Sequence, residues 1–269
     1  MHGCVEFWDV DRFNLSRKTA AASLVLCISE FTRAQLMALT EPEYWSKLEV
    51  VHCGVDLDLY PYRTRDQRDG RTVEILAVGR LSPEKGHLVL LDALAQLHQE
   101  GLRVQLTLVG DGPLQPELVA FAAENGIDDL VTFAGSVGQD DMPSYFERAD
   151  IFCQPSFNEG IPVVLMEAMA SGLPVVSSDV GAIAELVADE ESGLLVSPAR
   201  SAFLAQALRR LAESPDLRTA MGARGREIVE RDFDAAALAR RIDWTFTELV
   251  DGSRVVPPER EPGPVTRLW

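Results

Sequence analysis

The sequence predicts an α/β protein built on a doubly wound, mostly parallel sheet, and three observations predict it. From about residue 70, short β-branched apolar runs alternate with longer segments whose apolar residues recur at helical spacing. The short runs are apolar on both faces, as strands covered by helices on both sides must be. Gly and Pro punctuate the joins between them.

Taken in order, residues 23–29 (SLVLCIS) read as a strand, 31–39 (FTRAQLMAL) as a helix and 47–54 (KLEVVHCG) as a strand. Two parallel strands and one helix cannot bury themselves alone, so residues 1–60 read as the last part of an N-terminal Rossmann-like domain. Residues 56–70 (DLDLYPYRTRDQRDG) are polar and turn-rich and read as a linker. Strand 71–79 follows, then helix 87–101, strand 102–110, helix 113–126, strand 130–135, helix 140–149 and strand 150–156. Residues 161–172 (IPVVLMEAMASG) form a helix with Pro at its start and Gly at its end. Strands at 173–178 and 193–198 and a long amphipathic helix from residue 201 close the pattern. Crossovers between parallel strands are right-handed, which makes this a Rossmann-like domain. The expected organisation is an N-terminal remnant at 1–60, a C-terminal domain at 61–233, a crossover helix at 234–251 and a loose tail at 252–269.

The chain has 269 residues, 46% of them hydrophobic, enough for a packed core. A net charge of −17 argues against a nucleic-acid partner, which demands cationic surface. The four cysteines, Cys4, Cys27, Cys53 and Cys153, form neither a CxxC pair nor a zinc pattern. Cys27 and Cys153 lie in apolar runs and read as buried thiols. No stretch is long and apolar enough to span a bilayer, and residues 1–20 lack the apolar core of a secretory signal. The expected location is the cytoplasm.

In an open parallel sheet, ligands bind beyond the carboxyl ends of the strands. After the first strand of the main domain comes GRLSPEKG (79–86), where Arg80 and Lys85 bracket a turn that opens a helix. Two cations beside free helix amides suit a diphosphate; the competing reading is a pair of surface charges. GDGP (110–113) and GSVGQDD (135–141) follow the next two strands. The most informative stretch is PSFNEGIPVVLMEAMASG (155–172). Glu159 stands just before a helix, Gly160 permits close backbone approach, and Pro162 fits the first helical turn. Glu167 lies eight residues on, about 12 Å along a helix axis, in an otherwise apolar face. A carboxylate there is costly unless partnered, and in a nucleotide site a carboxylate accepts from hydroxyls. Glu167 is therefore assigned to ribose and Glu159 to a sugar hydroxyl. The alternatives are a buried ion pair for Glu167 and a helix-dipole contact for Glu159. There is neither GxGxxG nor GxxxxGK[ST], which disfavours NAD enzymes and P-loop ATPases. No metal-ligand cluster is visible, and a sugar-nucleotide site with its own cations needs none.

GRLSPEKG, VGDGP, FAG, PSFNEGIPVVLMEAMASGLPVVSSDVGAIAELV and SGLLVSP, in that order, resemble the retaining glycosyltransferases of family 4, which have the two-domain GT-B architecture. The match is dense over about 70–200 and continues through CISEFTRAQL and KLEVVHCGVDLDLY. The HGxxEF start and the HCGVD segment resemble bacterial exopolysaccharide or colanic-acid-type members most. The resemblance implies that Arg80 and Lys85 hold the donor diphosphate and that Glu159 lies near the transferred sugar. It implies that the amides of Gly160 and Ile161 face sugar or phosphate, that Glu167 binds ribose and that the Val137 backbone contacts the base. Gly79, Pro162 and Val163 complete the donor-binding set, and His2 matches a first-domain histidine facing the donor sugar. It further implies a UDP- or GDP-sugar donor, a saccharide or lipid-linked acceptor, no metal cofactor, and retention by front-face attack with the leaving phosphate taking the acceptor proton. A membrane contact would be made through the first domain.

Most of a family first domain would precede His2, so the chain reads as a fragment, a misassigned start or a protein without its acceptor domain. Two functions stay open: a glycosyltransferase of polysaccharide biosynthesis, and a non-catalytic nucleotide-sugar-binding module needing a partner. A sugar-nucleotide epimerase of the same architecture is a third.

Overall fold

The computed structural model describes residues 10–64 and 72–251. Its elements in chain order are α1 (Val10–Phe13), α2 (Leu15–Ala21), β1 (Val25–Cys27), α3 (Glu30–Leu39), β2 (Leu48–Val50), β3 (Val73–Val78), α4 (His87–Gln99), β4 (Val104–Val109) and α5 (Gln115–Glu124). There follow β5 (Val131–Gly135), α6 (Met142–Arg148), β6 (Ile151–Gln154), α7 (Val163–Ala170), β7 (Val175–Ser178), α8 (Ile183–Leu186) and β8 (Gly193–Val196). Three helices end the described chain: α9 (Ser201–Glu213), α10 (Pro215–Asp232) and α11 (Ala235–Asp251).

The main sheet runs β5-β4-β3-β6-β7-β8 with every pairing parallel. The chain winds outward from β3 through β4 to β5, then returns to β6 beside β3 and winds the other way. β3 and β6 register Ile75 against Ile151 and Leu76 against Phe152. The order therefore reverses between these two strands, and their carboxyl-end loops lead to helices on opposite faces of the sheet, the place where such folds form a ligand crevice.

Alternation along the strands feeds two cores. Ile75, Leu106, Ile151 and Cys153 join Leu91 and Leu94 of α4, Leu118 of α5 and Leu208 of α9 on one face. Leu76, Phe152 and Val175 join Phe146 of α6, Leu165 and Met169 of α7, Ile183 of α8 and Val229 of α10 on the other. Burying one such side chain is worth about 1.5–3 kcal/mol, so the sheet is clamped from both sides. The thiols of Cys27 and Cys153 are buried as expected. Burial raises both, Cys27 to about 11, which leaves them protonated and inert at neutral pH.

The first described residues form a small second unit. β1 and β2 pair in parallel, Val25 with Leu48 through Cys27 with Val50, over a core of Leu15, Cys27, Leu36 and Leu48. Helix α2, which supplies Leu15, has no apolar periodicity in sequence. Ser29 caps α3, its hydroxyl accepting from the Thr32 amide at 3.0 Å. A second cap comes from the other unit: Glu185 of α8 accepts from the Glu30 and Phe31 amides, one per carboxylate oxygen, each at 2.8 Å. Helix α11 binds the small unit from another side, Arg241 donating to the Val50 carbonyl at 3.1 Å.

One sequence expectation needs correction, and one long helix escaped the sequence reading. The described part of 56–70 is not a loose linker, since Tyr60 is 2% exposed and packs edge-on against Phe146. Arg226 of α10 ties it down, donating at 2.8 Å both to the Tyr60 carbonyl and to the Ala170 carbonyl at the end of α7. The long helix α10 also went unread; its signal was Ser214, whose hydroxyl caps the Leu217 amide, followed by Pro215 at the first helical position. The tail at 252–269 lies outside the described residues.

Glu185→Ala removes two charged acceptors from the N-terminus of α3. The expected loss is about 1 kcal/mol, the usual worth of a helix cap, read as a lower urea midpoint, with faster amide exchange confined to the first turn of α3.

Candidate functional site

The crevice between β3 and β6 is built from two loops locked together. The loop after β3 carries Gly79, Arg80 and Lys85; the loop after β6 carries Ser156, Glu159, Gly160 and Ile161. The Phe157 amide donates to the Glu84 carbonyl at 2.8 Å. Gly86 adopts φ +67°, and a Cβ there would stand 2.1 Å from the Pro155 carbonyl oxygen. Only glycine lets the backbones approach this closely. Neighbouring turns are stitched on as well: Gly79 donates to Val109, Gly110 to Gly135 and Leu81 to Asp111, each at 2.8–2.9 Å.

At the junction, three donors converge on one oxygen of Glu159. Lys85 Nζ reaches Oε1 at 2.6 Å, Gln154 Nε2 at 2.6 Å and Ser156 Oγ at 2.7 Å. Glu159 is only 8% exposed, so its charge needs this compensation. Behind it, Gly181 at φ +57° lets a second chain segment press on the acid's backbone, because a Cβ there would lie 1.9 Å from the Glu159 carbonyl oxygen. The Ala182 amide then donates to the Gly160 carbonyl at 3.2 Å. Gln154, Ser156 and Gly181 escaped sequence reasoning: their partners are backbone and side-chain atoms that only the fold brings near.

Other expected site residues fall around this junction. Arg80 is exposed beside the crevice, and the Gly79 backbone adjoins the Lys85 side chain. Pro162 is extended and immediately precedes α7 rather than occupying its first turn. Glu159 therefore sits in the loop, not on the helix, and the axial separation from Glu167 expected of one continuous helix does not apply. Val163 opens α7 and is exposed, while Ile161 is buried. The Leu165 and Met166 amides donate to the Pro162 carbonyl, which leaves the Val163 and Val164 amides at the start of α7 available to an anion.

Glu167 lies on α7, half-buried, with the Tyr60 hydroxyl in hydrogen-bonding range. The expected alternative, a buried ion pair, is not what surrounds it. Burial raises its pKa and the Tyr60 hydroxyl partly offsets this. Burial and then the nearby carboxylate push the Tyr60 phenol upward, so it stays a donor. Val137, half-buried after β5, packs on the same core. His2 lies outside the described residues. Among the described residues no cluster of His, Cys, Asp and Glu could hold a metal ion, and no helix is long and apolar enough to cross a membrane.

His87 opens α4 directly under the cationic loop and is 3% exposed. Neither ring nitrogen makes a well-formed hydrogen bond, the Arg80 carbonyl compensating only in part. Burial pushes its pKa down to about 4, with Lys85 adding to the effect and Glu84 opposing it.

An open parallel sheet with cations, an acid and helix amides gathered at its switch point defines an α/β protein whose site has the chemistry to suit a phosphorylated ligand. The family description "Glycosyl transferases group 1" matches residues 62–228, and the chain belongs to that family. It is 29% identical over 187 residues to alpha-D-kanosaminyltransferase of Streptomyces kanamyceticus, covering 70% of this chain and 48% of that protein. It is 34% identical over 113 residues to the amylovoran biosynthesis glycosyltransferase AmsK of Erwinia amylovora, covering 42% of this chain and 27% of the other. Among solved structures, Anabaena HepE in complex with UDP superposes with a TM-score of 0.78 at 27% identity, over 88% of this chain and 67% of that one. The fold is thus the Rossmann-like fold of GT-B glycosyltransferases. The chain spans about half the length, or less, of these curated relatives.

His87 generates a pH prediction. Its folded-state pKa is depressed, so between the unfolded value of about 6.5 and about 4 the unfolded chain takes up a proton that the folded chain refuses. Its contribution to stability is complete above this window and is lost as pH falls through it. Going from pH 7 to pH 5 should cost roughly 2 kcal/mol through His87. The raised Glu167 acts in the opposite sense, so the contribution is read as the difference in urea-unfolding free energy between wild type and His87→Leu, whose profile should be flatter.

Proposed function

We propose that this chain forms the donor side of a retaining, family 4 glycosyltransferase. It moves a sugar from a nucleoside-diphosphate sugar to a saccharide or lipid-linked acceptor in polysaccharide biosynthesis. The observation that carries the reading is the junction at the β3/β6 switch point, where Lys85 and Glu159 meet below the exposed Arg80. Support comes from HepE, whose crystal structures hold UDP and UDP-glucose, and from the relative named for amylovoran biosynthesis.

The roles follow from charge. The bond to the leaving nucleoside diphosphate breaks with negative charge growing on the phosphate, and fixed cations and amides aimed at that charge lower the barrier. Arg80, Lys85 and the first amides of α7 serve this purpose, with Gly79, Gly160, Ile161, Pro162 and Val163 shaping the backbone around it. Glu159 accepts from a sugar hydroxyl, Glu167 from the ribose hydroxyls, and the Val137 backbone faces the base. His2 faces the donor sugar. No protein nucleophile is needed if the leaving phosphate itself accepts the acceptor's proton. The site's own cations make a metal unnecessary, and the protein works in the cytoplasm, at the membrane face when its acceptor is lipid-linked.

Calorimetry with UDP and with uridine tests the assignment. Arg80→Ala and Lys85→Ala should each weaken UDP at least tenfold and uridine less than twofold; equal losses would refute the diphosphate role. Glu167→Ala should weaken both ligands alike, by about 1–3 kcal/mol, the penalty for leaving polar partners unpaired. Unchanged UDP affinity would remove the ribose role. Transfer of radiolabelled sugar to an added acceptor then tests catalysis, and binding without transfer would leave a nucleotide-sugar-binding module.

A further inference from the structure

The three donors on Glu159 Oε1 are not equivalent. Gln154 is 4% exposed and Ser156 fully buried, and both sit on or directly after β6, where neither side chain has room to swing. The Ser177 hydroxyl donates to the Gln154 carbonyl at 3.0 Å and pins that strand end to β7. Lys85 comes from the opposite loop on a flexible four-carbon stem, and its side chain is 25% exposed. An ammonium on a flexible stem can swing to a distant acceptor; a packed amide cannot, and a packed hydroxyl can only rotate its proton in place.

Gln154 carries a second clue. Its Oε1 is buried with no partner, while its Nε2 donates to Glu159. A buried orphan carbonyl is unfavourable, so the amide's orientation is dictated by the acid and not by its own satisfaction. The site keeps a strong neutral donor on Glu159 in addition to the cation.

Building on the donor-site reading, we propose that Gln154, assisted by Ser156, is a positioning residue that holds Glu159 while Lys85 transfers from that carboxylate to the diphosphate of the incoming donor. Without them, departure of Lys85 would withdraw a cation from a nearly buried carboxylate and cost it part of its compensation, and Glu159 would detain the lysine. The carboxylate thus parks the cation when the site is empty, and the amide and hydroxyl release it at little cost when phosphate arrives. No bond is made or broken in this step; one ammonium exchanges one anionic partner for another.

The test uses the whole chain and calorimetry with uridine and with UDP or GDP, whichever the wild type binds. Gln154→Leu keeps the volume and removes the donor, and should weaken the diphosphate about tenfold while leaving uridine within twofold. Adding Glu159→Gln to Gln154→Leu removes the carboxylate that detains Lys85 and should restore most of the lost affinity, a coupling that a double-mutant cycle reads directly. Ser156→Ala, the milder variant, should show the same pattern at about threefold and stands in if Gln154→Leu fails to melt cooperatively. A merely structural role would weaken uridine and the diphosphate together and would not be rescued by Glu159→Gln; either result overturns the proposal. Wild-type binding of neither UDP nor GDP would instead sink the donor-site reading, and this inference with it.

Discussion

The candidate site depends on one constraint: a nearly buried carboxylate, Glu159, must be given hydrogen-bond donors where two loops meet. Everything around it serves that end. Lys85, Gln154 and Ser156 supply donors to a single oxygen, and two glycines let the backbones come near enough to deliver them. At Gly86 the cationic loop touches the Pro155 carbonyl; at Gly181 a segment after β7 touches the Glu159 carbonyl. A side chain at either position would force the loops apart and leave the acid short of donors. The contacts are possible because β3 and β6 are sheet neighbours though far apart in sequence.

A second chain of dependence runs behind the first. Arg226 grips both the Tyr60 carbonyl and the end of α7. Tyr60 is thereby wedged against Phe146, with its hydroxyl toward Glu167. The second acid of the crevice is thus oriented from helix α10, through a residue that looks like part of a polar connection. Glu185 links the small unit to the same region: α8 begins one residue after Ala182, whose amide holds Gly160, and its carboxylate caps α3. Placement of the small unit and shape of the loop after β6 therefore share one short helix.

How much of this was legible in sequence follows from the range of each signal. Strands β3 to β8 and helices α4, α5, α6, α7, α9 and α11 announced themselves through local periodicity and Gly or Pro punctuation, which need no knowledge of the fold. Helix α2 and the long α10 did not, because polar residues dominate them and their burial is narrow. Lys85 and Glu159 could be singled out by residue type at a strand's end. Their direct pairing could not, and neither could Gln154 or Ser156, since a glutamine in an apolar strand carries no local mark of its partner. Tyr60 was misjudged for the same reason: turn-rich neighbours describe its backbone, while Arg226 and Phe146, which decide its burial, lie far along the chain.

A chain of net charge −17 makes an unpromising host for a diphosphate, and the resolution is local. A carboxylate repels phosphate only in so far as its field is not already answered. Glu159 is answered by Lys85 and two neutral donors, Glu185 by two helix amides, and Glu167 by burial that favours its protonated form and by a phenol. Each of these three acids thus has its charge answered inside the protein. Long-range repulsion from the remaining surface acids is screened within about 10 Å at moderate salt. Under the donor-site proposal, the groups that face the diphosphate at short range are the exposed Arg80, Lys85 and the first two amides of α7. The sign of the site is set by the few groups whose partners are not yet fixed, and the total charge of the chain has little say in it.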